Sequence, residues 1–321
     1  MKRIRWIPAA LLALAFLAAM VGLFHAVQAP PEPEWGGQKL TSWLRGTPPA
    51  SGPASVSRAG SPEVNEWLQG QKAALKAMSP ECFPYMLMMM RARDARWQFH
   101  LAALLSKQKL IKFRPPPRPS YQGRWEAARG FAWLGTNAAP AVPGLRKLLG
   151  DPDTSSQASH ALIWIDTVEA THAVEQALES GNTALRQTVS THLGSMEGSG
   201  ERFVPALLKG LNDADPAVRE HCAYALGEIR GASERVVPAL AARLTDRVSD
   251  VSRAAADALR KFRDQARPAV PTLVRVAERN NPTTYAAAVR ALREIDPAAA
   301  EPFPPAWTPT TAIATSRRAE P

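Results

Sequence analysis

The chain has 321 residues, 45% of them hydrophobic, enough to bury a substantial core. Few runs alternate apolar and polar residues with period two, and alanine is abundant, so the composition excludes β classes and leaves all-α. The formal net charge of +10 and sequence pI near 10.0 raise acidic partners or nucleic acid as candidates, although basic charge alone is only an electrostatic footprint.

Residues 1–29 read as a membrane anchor or signal segment. Lys2, Arg3 and Arg5 precede a charge-free apolar run, Trp6 to Val27. That run exceeds the core of a signal peptide and matches the ~20 residues that span a bilayer. Val27-Gln28-Ala29 is a possible cleavage site, but Pro30 follows it. The expectation is an uncleaved anchor with its positive flank inside and the rest outside the cytoplasm. The alternative is secretion after cleavage.

Residues 30–62 form a Pro/Gly/Ser-rich tether, interrupted by a short amphipathic piece, Trp35 to Leu44, suited to capping an open helical stack. Residues 63–124 read as a degenerate first helical repeat with a basic insertion. Helices are expected over Glu66–Met78, Cys82–Arg93 and Arg96–Ser106. The methionines among Met86 to Met90 read as adaptable packing rather than metal ligands, because no Cys or His stands at ligand spacing beside them. From Arg91 to Arg124 there are nine Lys/Arg and one acid, Asp94. Arg91, Arg93, Arg96, Lys107, Lys109, Lys112 and Arg114 are therefore candidates for binding an acidic partner; contact with an anionic membrane is the alternative.

Residues 125–300 carry a repeat. Its clearest copy is Val204 to Ile229, two short helices around a turn. Val204, Leu207, Leu208 and Leu211 recur at helical spacing in the first, with Pro205 at its start. Pro216 breaks the chain at Asp215 and opens the second, where Val218, Cys222, Ala225, Leu226 and Ile229 share a face. Neither helix is long enough to stand alone, so each needs neighbours. Anchoring on Val142, Val174, Val204, Val237 and Val270 gives steps of 32, 30, 33 and 33 residues, the mark of a solenoid. Second helices end on Ile165, Met196, Ile229, Phe262 and Ile295. Residues 301–321, rich in Pro, Ala and Thr, are expected to be disordered.

The phrase Pro205, Leu207, Leu211, Asp213, Asp215, Pro216, Val218, Arg219, Ala223, Leu226, Gly227 resembles the HEAT repeat, the two-helix unit of α-solenoid scaffolds. The resemblance covers roughly Glu66 to Ala300 and extends to exported or membrane-anchored bacterial HEAT-repeat proteins, in which an element like Trp35–Leu44 precedes the repeats. It implies an all-α solenoid and a ladder between turn Asp and second-helix Arg. Only the Val204 unit keeps both, as Asp213 and Arg219. The Val174 unit has Arg186 with Thr183 at the Asp position, and the Val237 unit has Asp246 with Ser252 at the Arg position.

Chemistry is sparse. No Gly-rich phosphate loop, nucleophile elbow or H-E-x-x-H occurs. HEAT-like iron enzymes carry His-Glu dyads, whereas this chain has only the reverse, Glu220-His221. His160, His192 and His221 stand in different registers on successive second helices and read as satisfied or solvent-facing. One exposed column runs His160, Thr191, Tyr224, Asp257, Arg290; another runs Trp164, Ser195, Glu228, Lys261, Glu294. Neither repeats a residue type, so a one-residue-per-repeat nucleic-acid code is not supported. His160, Tyr224, Asp257 and Arg290 are the candidate partner contacts. Cys82 and Cys222, about four repeats apart, are expected to stay unpaired. The reading is a non-catalytic, cofactor-free scaffold for a protein partner, with a HEAT-like metal-dependent oxidoreductase or lyase, or a basic nucleic-acid-binding solenoid, as the alternatives.

Overall fold

The computed structural model describes residues 30–45, 62–93, 120–196, 198–279 and 281–304. The expected anchor Trp6–Val27, the helix Arg96–Ser106 and the tail beyond Pro304 lie outside the described residues. Among the described residues no helix is long and apolar enough to cross a membrane. The chain divides into two compact units, residues 1–141 and 142–321.

The first unit is built on α4 (Ser120–Leu134), which ends where Gly135 takes a positive φ of 53°. The expected boundary at 124/125 falls within this helix. Against α4 pack α3 (Cys82–Arg91), α2 (Pro62–Ala77) and α1 (Leu40–Arg45). The Trp35–Leu44 piece folds as a hairpin, β1 (Glu34–Trp35) paired antiparallel with β2 (Gln38–Lys39), running straight into α1. Gly36 and Gly37 make the turn at φ 59° and 75°, a region that suits glycine. Leu40 and Leu44 are buried, and Trp35 and Trp43 meet edge to face at 5.4 Å. A side chain at Gly130 would come within 2.7 Å of Leu44 and 2.6 Å of Met86, so this glycine lets α1 and α3 close on α4. Glu126, 2% exposed, is held by Arg45 at 2.9 Å.

The second unit is a stack of helix pairs. These are α5 (Val142–Leu148) with α6 (Ser155–Trp164), α7 (Val168–Leu178) with α8 (Thr183–Leu193), and α9 (Val204–Gly210) with α10 (Pro216–Ile229). Then come α11 (Ser233–Arg243) with α12 (Ser249–Phe262) and α13 (Val270–Glu278) with α14 (Pro282–Ile295). Each second helix packs on the next, α6 through α14. The expected apolar face of α10 is buried throughout, and on α9 Val204, Leu207 and Leu211 are buried while Leu208 is half-buried. Asp215 caps α10 by accepting from the Ala217 and Val218 amides at 3.0 and 3.1 Å. Gly227 lies against Ala258 so closely that an added Cβ would sit 2.7 Å from its Cα.

Two expectations need correction. Anchoring on Val174 places Thr183 at the turn Asp position, but Arg186 donates to the Ser180 carbonyl just as Arg219 donates to that of Asp213, both at 2.9 Å. Ser180 therefore holds that position. The anchor slips because α7 begins at Val168, which puts Val174 in its second turn. Pro238 lies inside α11, where its missing N–H falls opposite the exposed first turn. Lastly, residues 301–304 are ordered. Phe303, 6% exposed, meets the Tyr285 ring at 6.5 Å, and the Tyr285 hydroxyl donates to the Pro304 carbonyl at 3.0 Å. With α15 (Pro297–Ala300) they cover α14, the last second helix among the described residues.

Leu226→Asp places a carboxylate where α10 meets its neighbours, at a cost of several kcal/mol, comparable to a domain's net stability. Circular dichroism is expected to show a melting midpoint lowered by many degrees or outright loss of helix; an unchanged melt contradicts the register.

Candidate functional site

Because the repeat is 33 residues long at its best-ordered end, side chains 33 apart face one another on successive second helices. The chain places opposite charges at that interval. Arg253 on α12 reaches Glu220 on α10 at 3.0 Å, and Arg290 on α14 reaches Asp257 at 3.1 Å. Lys261 pairs with Glu228 at the same interval, and Arg260 with Glu294, 34 residues on, at 2.9 Å. Arg253 also approaches Asp250 and Asp257 on its own helix, at 3.5 and 4.0 Å. The result is a lattice of ion pairs across three repeats, lining a groove of about 670 Å³.

Tyr224 stands in the middle of that groove with 51% of its surface exposed. One side of its ring rests on Gly194, where a Cβ would intrude to 2.8 Å. The Lys261 ammonium lies 5.0 Å from the ring centroid, within cation–π range. Burial pushes the Glu228 carboxyl up, but hydrogen bonds from Lys261 and Tyr224, with the Lys261 and Arg230 charges, more than offset it and hold it below its usual value. The groove therefore presents fixed charge of both signs around one aromatic ring.

Tyr224, Asp257 and Arg290, neighbours in one column of the sequence, line this groove together. His160 does not join them: it lies on α6, its ring 5.9 Å from that of His192. The Thr191 hydroxyl is 3.0 Å from His221 Nδ1. Arg91 and Arg93 are exposed in the first unit, while Arg96, Lys107, Lys109, Lys112 and Arg114 lie outside the described residues. Sequence reasoning missed Glu220 and Arg253 as groove residues. The signal was present: acid and base stand one period apart.

Elsewhere on the stack the ladder implied by the HEAT resemblance forms two successive rungs. Arg186 grips Asp213 with two hydrogen bonds, at 2.8 and 3.0 Å, and Arg219 grips Asp246 at 2.9 and 2.8 Å. Each pair joins one repeat's Arg to the next repeat's Asp, so no single unit needs to keep both residues. Burial pushes Asp213 and Asp246 up, yet the guanidinium contacts and the Asp215 and Val248 amides leave both carboxyls below their ordinary value.

Chemistry beyond ion pairing is limited. His192 Nδ1 lies 2.7 Å from the Ser159 hydroxyl, whose own proton goes to the Ser156 carbonyl at 2.9 Å. Burial, and then repulsion from His160, bring His192 down to about 4, so it is neutral at pH 7. Among the described residues no group of three His, Cys, Asp or Glu is placed to hold a metal. Cys82 and Cys222 are free and buried, and burial pushes their thiols up to about 11 and about 12, far from the reactive thiolate.

Residues 171–260 match the family model for HEAT repeats. Similar solved structures include two engineered proteins from the Northeast Structural Genomics Consortium. The first is 21% identical over 63% of this chain and 98% of its own, with a TM-score of 0.37. The second is 19% identical over 80% of this chain and 75% of its own, with a TM-score of 0.38. These scores carry no argument, and the assignment rests on the family match and the repeat geometry. No curated protein matches the chain.

Acid should unfold the second unit in two stages. His192 has its pKa depressed on folding, so its contribution is complete above pH 6.5 and lost as pH falls towards about 4. The ladder carboxylates are also depressed, and their contribution is lost only below the ordinary Asp value of 3.8. Urea midpoints measured against pH should show both stages, and His192→Gln should flatten the upper one alone. Parallel profiles for the two proteins contradict this assignment.

Proposed function

We propose that this HEAT-repeat chain is a non-catalytic scaffold, held at the cell envelope by Trp6–Val27, that receives a protein partner in the groove around Tyr224. The observation that carries the reading is the charge lattice. Its cations are already bonded to carboxylates on the neighbouring helix, so the groove offers a rigid pattern of donors and acceptors around an exposed aromatic ring. Tyrosine supplies contact area at low entropic cost, and such rings surrounded by polar groups are the usual anchors of protein interfaces.

The same lattice weighs against the alternatives. A nucleic-acid strand would meet Glu220, Glu228 and Asp257 beside every cation, repelling the phosphates that supply most of such affinity. An enzyme needs groups whose proton affinities are tuned towards their task. Here the perturbed carboxylates are held ionised by their partners, the perturbed thiols are buried, and His192 is half-buried. Envelope attachment is supported by the charge-free run behind Lys2, Arg3 and Arg5.

Two measurements test this reading. A photo-crosslinking residue at position 224 in intact cells should give a discrete protein adduct, while the same residue at position 168, on the exposed start of α7, should give none; equal labelling or no adduct at 224 contradicts the groove. Carbonate washing of membranes should leave the chain in the pellet. A soluble product beginning near Pro30 replaces the anchor with a cleaved signal and leaves the groove reading intact.

A further inference from the structure

The first unit carries a second concave surface unlike the Tyr224 groove. Helix α3 is apolar on two faces. Cys82, Phe83, Met86, Met89 and Met90 are buried in the unit, but Leu87 and Met88 are only half-buried and Pro84 is exposed. These residues, with Pro80 and Pro140, line a groove of about 1270 Å³. Methionine thioethers are unbranched and polarisable, so such a wall adapts to varied aliphatic and aromatic side chains.

At the mouth of the groove, Arg91 and Arg93, both exposed, are the charged residues among the described ones that line it. Their position is fixed by Arg124. This buried guanidinium donates from Nη1 to the Ala92 carbonyl at 2.7 Å and to the Ser120 hydroxyl at 3.0 Å, tying the end of the α3 segment to the start of α4.

We infer that the α3 groove binds an acidic amphipathic helix from a partner protein, its apolar side on Leu87 and Met88 and its carboxylates against Arg91 and Arg93. The helix-in-groove mode uses this combination of an apolar wall and a flanking charge. The concavity favours such a helix over a bilayer, whose flat surface would meet only the rim. This site is separate from the Tyr224 groove, and its failure leaves that reading unaffected.

The test uses the full-length chain and a random displayed library of peptides about four helical turns long. Selection should enrich peptides with apolar residues at helical spacing and Asp or Glu beside them. A synthesised winner should bind about tenfold more weakly, some 1.4 kcal/mol, to the Arg91→Glu/Arg93→Glu variant. Both arginines are exposed, so the variant's melting curve should be unchanged, and binding to the unaltered chain should weaken as salt rises. Leu87→Glu should abolish binding. The inference is overturned if nothing is enriched, if the winners lack the acidic and apolar pattern, or if they bind the arginine variant equally well. It is also overturned if equimolar phosphatidylcholine–phosphatidylglycerol vesicles bind in an Arg91- and Arg93-dependent way while no peptide does, because the surface is then a membrane contact.

Discussion

The second unit depends on one contact, the face of each second helix against the next. Helices of 7 to 14 residues, such as α9 and α10, are marginal alone and gain their stability from tertiary burial. The seam closes tightly because small residues line it: Gly227 meets Ala258, and Ala225, Ala255 and Ala288 are fully buried. Ion pairs then work on a stack that apolar packing already holds. The Arg186–Asp213 and Arg219–Asp246 rungs, with side chains 5% to 14% exposed, sit where water screens them least. The paired charges around Tyr224 are more exposed, and each is worth roughly 0.2–1 kcal/mol. Their contribution is to the pattern presented at the surface more than to stability.

That distinction links the fold to the functional reading. A fixed repeat length places residues one period apart side by side, so opposite charges at that interval become a lattice without any local motif. The lattice sits on the second-helix face, where Tyr224 is exposed and the groove opens. The first unit follows another logic. Its helices gather on α4, with Gly130 admitting Leu44 and Met86, and its outer groove is apolar with a cationic edge. One chain thus carries two surfaces of different chemistry, as a scaffold with more than one contact would require.

Much of this was legible in sequence, for stated reasons. The Val204 unit could be read because its caps and apolar spacing agree: Asp215, Pro216 and the α10 stripe all do in the fold what their positions imply. The Val174 register was not legible, because α7 starts a turn and a half earlier than a fixed anchor assumes, and only the Arg186–Ser180 bond reveals it. The groove was half legible. Tyr224, Asp257 and Arg290 were found as a column, whereas Glu220 and Arg253 are recognised only once acid–base pairs are sought at the repeat interval. The closure over Tyr285 was hidden because Phe303 and Pro304 stand in a stretch whose composition resembles a linker.

The most direct test of the account is a double-mutant cycle on Arg219 and Asp246, each changed to Ala singly and together, with stability taken from urea unfolding. The cycle separates the rung from the helix-start hydrogen bond that Asp246 makes to the Val248 amide at 3.0 Å. If the rung couples neighbouring repeats, the interaction energy should fall within about 0.5–3 kcal/mol, the range for contacting residues in one network. An interaction energy indistinguishable from zero would show that the two repeats are stacked by apolar contact alone, and would contradict the ladder as a coupling between them.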